Sequence, residues 1–170
     1  IPMSGLGVAT QTFVGQNYGA RNYERITKSV KKIFIADIVV SVIMSLTLYL
    51  IGLPTVSLFM TEPNAAIMAA AKQYIIATAE CYSLVAILFV LRNTLQGLGF
   101  TYSNMIAGAG EFFGRLAVAF IFTKIIGFNA VCYAAPAAWL LADIPLAIIY
   151  LSKHKKFKAL AAEQKAKNNI

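Results

Sequence analysis

Four of the chain's seven acidic residues lie inside long apolar runs. Asp37 falls in Ile33–Leu53, Glu80 in Gln73–Leu91, Glu111 in Asn104–Thr123 together with Arg115, and Asp143 in Ile125–Ser152. An ionisable group in such a run is expensive to leave in hydrocarbon. It faces a bundle interior or a wet pathway, where it exchanges a proton, holds an ion or pairs with an opposite charge. Counted from the run ends at 1.5 Å per helical residue, Arg115 lies about 16 Å deep, Asp143 about 14 Å and Glu80 about 18 Å. Glu80 has no basic residue at i±3 or i±4 to neutralise it. Asp143 precedes Pro145 by two residues, where a kink would free backbone acceptors. These two are the candidates for ion or proton coupling. Glu111 and Arg115 are spaced i,i+4, so they share a helix face and can pair. Two readings of that intramembrane pair stay open: a clasp that locks helices together, or an ion-responsive part of a pathway. Asp37 stands only a turn beyond Lys32 and is expected to reach back to the interface.

Other chemistries find no residues to carry them. There is no nucleophile elbow, HExxH helix, P-loop or His/Cys cluster, so no catalytic residue, metal ligand or organic cofactor is assigned. Cys81 and Cys132 fit no zinc spacing and read as small packing residues. His154 reads as an interfacial side chain. The stretch Gly108-Ala109-Gly110-Glu111-Phe112-Phe113-Gly114 has its third glycine one place late for a dinucleotide loop and follows no strand. Gly110 and Gly114 instead make a GxxxG pair, which lets a neighbouring backbone come close in an apolar helix.

The elements that must position these groups follow from composition. The 170 residues are 59% hydrophobic and 13% charged, about half the charge of a soluble domain. Each apolar run is long enough for a hydrocarbon core of about 30 Å. We therefore expect an all-α polytopic membrane bundle of four full spans. Leu6–Val14 looks like the end of a further span, and the chain opens Ile1-Pro2-Met3. Residues 1–15 thus read as a truncated transmembrane helix and the chain as a fragment. Residues 16–32 read as a cytoplasmic loop and amphipathic lead-in, 33–152 as the four spans and 153–170 as a basic cytoplasmic tail. Helix stops are expected at Gly15–Gly19 and at Gly52-Leu53-Pro54. A cap at Thr61 with Pro63 in the first turn should open a short outer helix, and Pro136 and Pro145 should interrupt the last span. The net charge of +8 is distributed by side rather than along a nucleic-acid stripe. Twelve basic residues (Arg21, Arg25, Lys28, Lys31, Lys32, Arg92, Lys153, Lys155, Lys156, Lys158, Lys165, Lys167) fall on one side when the spans are counted, against Lys72 and Lys124 on the other. That asymmetry puts the tail in the cytoplasm and the basic loops against anionic lipid, with no nucleic-acid partner.

Five segments occur in order: Phe13-Val14-Gly15-Gln16-Asn17-Tyr18-Gly19-Ala20-Arg21, a basic lead-in, Leu91-Arg92-Asn93-Thr94-Leu95-Gln96-Gly97-Leu98-Gly99, Gly110-Glu111-Phe112-Phe113-Gly114-Arg115, and Ala135-Pro136-Ala137-Ala138-Trp139. Together they resemble the C-terminal portion of multidrug and toxin extrusion (MATE) transporters, from the end of helix eight through helix twelve. The resemblance implies a twelve-helix, two-lobed antiporter of the plasma membrane. Such a protein exports drugs or other small organic, often cationic, substrates in exchange for H⁺ or Na⁺, and its N-terminal lobe would be a partner of this segment. Members that use Na⁺ often carry a carboxylate on helix ten, closer to the inner glycine-containing turn, at a position that aligns near Val85. Here the carboxylate on that helix is Glu80, over one turn outward. Two alternatives are a lipid-linked oligosaccharide flippase, which would want more intramembrane basic residues, and a non-transporting membrane scaffold subunit.

Overall fold

The apolar runs fold as helices, and no strand forms among the described residues; the computed structural model describes residues 2–60 and 64–168. Helix α1 spans Pro2–Gly19, α2 Tyr23–Leu58, α3 Ala65–Glu80, α4 Tyr82–Gly97 and α5 Tyr102–Ala117. A π-helical turn, Val118–Phe122, carries α5 on into a short α6, Thr123–Ile126. The Thr123 hydroxyl donates to the Val118 carbonyl at 2.9 Å and helps hold that wider turn. Then follow α7, Phe128–Cys132, and α8, Ala134–Asn168.

Several boundaries differ from those expected of the sequence, each for a physical reason. The lead-in and the first span are one helix, because no Gly or Pro interrupts Tyr23–Ile51. At about 54 Å, α2 exceeds the hydrocarbon thickness, so its basic first turns project beyond it. Pro54 does not stop α2 but lies inside it, four residues before the end. Its ring removes one i→i−4 hydrogen bond, and the helix runs on for only one further turn. The stop expected at Gly15–Gly19 does end α1, at its last residue rather than its first. The helix continues to Gly19, and Arg21 takes the left-handed conformation (φ 56°) while Asn22 N–H donates to the Asn17 carbonyl at 2.8 Å.

The Gln73–Leu91 run is two helices, not one, bent by 45° at Cys81. The Ser45 hydroxyl, from α2, donates to the Ala79 carbonyl at 2.6 Å and so supplies a hydrogen bond at the break. The proposed cap at Thr61 and Pro63 lies outside the described residues. Asn64 caps α3, its side chain accepting from Ala66 N–H and Ile67 N–H at 3.0 and 3.2 Å. Neither Pro136 nor Pro145 interrupts α8. Pro136 occupies its first turn, where the N–H has no helical partner to lose, and the helix runs on through Pro145. The breaks in that run come earlier, at Gly127 and Tyr133.

Helix α4 is the hub. It contacts α1, α2, α5 and α8, while α5 packs chiefly on α8. One core cluster, Val14, Ile26, Val30, Val90, Leu98 and Phe157, ties the basic ends of α2 and α8 to α1 and α4. The other, Leu88, Leu91, Leu95, Ala107, Ala142 and Leu146, joins α4, α5 and α8. Large apolar side chains such as Val39, Leu46 and Leu50 on α2 and Ile144, Ile148 and Leu151 on α8 point outward. That is how a bundle solvated by lipid places them. Three helical stretches, Tyr23–Leu58, Tyr102–Ile126 and Ala134–Glu163, are long and apolar enough to cross a membrane, and the bent α3–α4 pair makes a fourth. The fold is an all-α polytopic membrane bundle.

Candidate functional site

The site begins with two glycines. A Cβ built on Gly110 would stand 2.8 Å from Ala142 Cα, and one on Gly114 would stand 2.7 Å from Ala138 Cα. Only hydrogen fits there, so α5 and α8 lie backbone to backbone. That close register places Glu111, one residue after Gly110, beside the stretch of α8 that carries Asp143, one residue after Ala142.

Glu111 is held from two sides. Its Oε2 is 3.4 Å from Arg115 Nη2, one turn on in α5, and its Oε1 is 3.6 Å from Arg92 Nη1 in α4. Arg92 also lies over the Phe89 ring, 5.3 Å from its centroid. The carboxylate therefore bridges two helices, and the pair read from the sequence is a triad. The guanidiniums differ in setting: the Arg92 side chain is 24% exposed, the Arg115 side chain 58%. Arg115 lies on an open face of α5 and its π-helical extension, with Gly108, Glu111, Phe112, Leu116 and Ala119.

Asp143 is 6% exposed, and neither of its oxygens has a hydrogen-bond partner among the described residues. Asp37 is fully buried and likewise unpartnered there. It does not reach the interface as the sequence suggested. Continuous helix carries it inward, on a face shared with Val30 and Ser41, which are also buried. Glu80 closes α3 at the α3–α4 bend and is exposed, so this chain's own packing does not bury it. The structure thus gathers Glu111, Arg115, Gly110, Gly114 and Asp143 at the α5–α8 seam and leaves Glu80 apart from them.

Two contributors were missed in the sequence. Arg92 sits at the end of its apolar run and reads as a topological charge. Only the crossing of α4 over α5 brings it to Glu111. Asp37 was placed too near a run boundary that does not exist. Buried hydroxyls of Thr94 and Ser103 also lack partners among the described residues and add polar capacity around α4 and α5. No cluster of metal-ligating side chains occurs among the described residues.

A bundle of long apolar helices with ionisable groups between them is the architecture of a polytopic membrane protein. A family model described as MatE matches residues 1–121, and the chain belongs to this family of membrane transporters. The match ends within the π-helical turn, so α7, α8 and Asp143 lie beyond it. No curated protein and no solved structure matches the chain.

Proposed function

We propose that the chain is the C-terminal portion of a MATE-type secondary antiporter, from the end of helix eight through helix twelve. It exports drugs or other small organic, often cationic, substrates across the plasma membrane in exchange for H⁺ or Na⁺. The observation that carries the reading is Asp143: a carboxylate buried where α8 packs backbone to backbone on α5, with no hydrogen-bond partner for either oxygen among the described residues, beside the turn of α5 that carries Glu111, which two arginines hold. A buried charge without a partner costs several kcal/mol in its ionised form. Taking up a proton or a cation relieves that cost, and helix packing around it then favours a different arrangement. Export follows when substrate and ion favour opposite arrangements of the bundle, which is alternating access. Glu80 is a secondary candidate, at a helix bend whose angle a bound ion could change. The cytoplasmic tail and the anionic-lipid contacts belong to the same reading and rest on the sidedness of basic residues.

The test is a vesicle assay on the protein encoded by the whole gene. An imposed H⁺ or Na⁺ gradient should drive efflux of a cationic dye, and vesicles holding residues 1–170 alone should show none. Equal efflux with and without a gradient would contradict the antiport reading, and robust efflux from residues 1–170 would contradict the fragment reading.

A further inference from the structure

Asp37, Ser41 and Ser45 recur at i, i+4 and i+8 and make a polar stripe along one face of α2. Asp37 is fully buried and Ser41 is 1% exposed. The stripe ends on the break between α3 and α4, where the Ser45 hydroxyl donates to the Ala79 carbonyl at 2.6 Å. Thr78, beside Ala79, has a buried hydroxyl without a partner among the described residues. Glu80, on the other side of Ala79, is exposed. The stripe therefore joins a sealed carboxyl to an open one. This chain's own helices enclose Asp37, so no other part of a longer protein reaches it in this arrangement. Of the helices packed on α2, α1 carries no charged residue and α3 carries Lys72 and Glu80. Helix α4 carries Arg92, and α8 carries Asp143 and, from Lys153 on, a charged tail. None of these groups pairs with Asp37 among the described residues, and Arg92 is turned to Glu111.

A hydroxyl both donates and accepts, so a file of hydroxyls passes a proton without holding a charge. Side chains one helical turn apart lie about 5–6 Å between Cβ atoms. A carboxyl and a hydroxyl at that spacing can meet directly, and two hydroxyls can meet through one bridging water. Ser41 donates to the Ile38 carbonyl at 2.7 Å and Ser45 to Ala79, which leaves their lone pairs to accept. We propose that this stripe is a proton relay between Glu80 and Asp37. A proton leaves the Glu80 carboxyl, which becomes charged. The Ser45 and Ser41 hydroxyls each take one proton and give one up, and the Asp37 carboxylate gains one and becomes neutral. To pass its proton on, the Ser45 hydroxyl turns away from Ala79 and releases a carbonyl at the bend. Loading Asp37 and loosening the α3–α4 break are thus one event. The relay adds a proton site apart from Asp143. It rests on the antiporter reading only in taking Glu80 to face water in the whole protein, where its charge is far less costly than in lipid.

The test follows the C=O stretch of protonated carboxyl groups by infrared spectroscopy, on the full-length protein in lipid nanodiscs near neutral pH. The unmodified protein should show a protonated-acid band that Asp37→Asn removes. Transfer to heavy water should shift that band as its proton exchanges. Ser45→Ala breaks the file and should slow the shift at least tenfold, as should Glu80→Gln. Ser45→Thr keeps the hydroxyl at this half-buried position and should restore the rate. Should Ser45→Ala not fold, Ser41→Ala decides by the same measure. Absence of any band that Asp37→Asn removes would overturn the proposal, since Asp37 would then be ionised. A band that never shifts in heavy water would overturn it too, because the acid would be a sealed structural group. So would exchange as fast in Ser45→Ala or in Glu80→Gln as in the unmodified protein, which would put the route elsewhere. The assay uses neither gradient nor substrate. If gradient-driven efflux is present and the relay is not, the inference falls and the antiporter reading stands; a relay in a protein without efflux gives the reverse.

Discussion

Asp143, Asp37 and the Glu111 triad set the residue scale, and each has its own energetic signature. A buried polar group without a partner costs about 1–3 kcal/mol, and neither Asp143 nor Asp37 has one among the described residues. Asp37→Leu should therefore raise the unfolding temperature of the detergent-solubilised protein. If Asp37 serves transport, efflux should fall at the same time, because stability was given up for function. A lower unfolding temperature would mean that an unseen partner holds it. Within the triad, the two arginines should separate. Arg115→Leu removes a largely exposed contact and should cost about 0–1 kcal/mol. Arg92→Leu removes a more buried link between helices and should cost more, approaching about 3 kcal/mol. Thermal unfolding of both single mutants and of each paired with Glu111→Gln measures the couplings. Equal, additive losses would refute the asymmetry. The sequence showed Glu111 and Arg115 as neighbours because i,i+4 spacing is local. It hid Arg92, because that contact depends on how two helices cross.

At the scale of the element, the α5–α8 seam and the tail of α8 carry the strongest expectations. A Cβ at Gly110 or Gly114 meets backbone atoms of α8 at 2.8 or 2.7 Å, and backbone cannot rotate away as a side chain can. Gly114→Val should cost about 1–3 kcal/mol through overpacking and lower membrane abundance; an unchanged unfolding temperature would show that the seam is loose. At the basic end of the bundle, Phe157 of α8 is buried against Tyr18 and Tyr23, both at 5.7 Å between ring centroids. Phe157→Ala should cost about 3 kcal/mol by unfastening the tail from the α1–α2 connection. The GxxxG spacing made the close approach legible, since glycines four residues apart share one helix face and leave it without side chains where a neighbouring backbone can pack. The break at Cys81 was illegible: Ala79-Glu80-Cys81-Tyr82 contains no Gly or Pro, and a hydroxyl from another helix, Ser45, makes a hydrogen bond at the break. The length of α2 was misjudged for the converse reason. The change from basic to apolar residues at Lys32–Ile33 marks where lipid begins, not where a helix ends.

For the whole molecule, sidedness and coupling are the claims to check. The basic residues of α2's first turns, Arg92 and the α8 tail gather at the same end of the bundle, through the core cluster that includes Ile26, Val30, Val90, Leu98 and Phe157. A cysteine placed at Asn64 should react with an impermeant reagent from outside intact cells, and one at Asn22 should not; labelling of Asn22 would invert the topology. Membrane class and family were legible from hydropathy and short motifs, because lipid imposes long apolar helices on any sequence that spans it. The coupling site was only partly legible, because burial of a carboxylate is a property of several helices together. The most direct test of the antiporter account measures ion and substrate flux together, in liposomes containing the full-length protein, for the unmodified protein and Asp143→Asn. The account predicts that an imposed H⁺ or Na⁺ gradient drives uphill substrate movement in the unmodified protein. In Asp143→Asn, at equal protein abundance, that movement should fall at least tenfold and the accompanying ion flux should disappear. Full gradient-driven transport with intact ion flux in Asp143→Asn would contradict it.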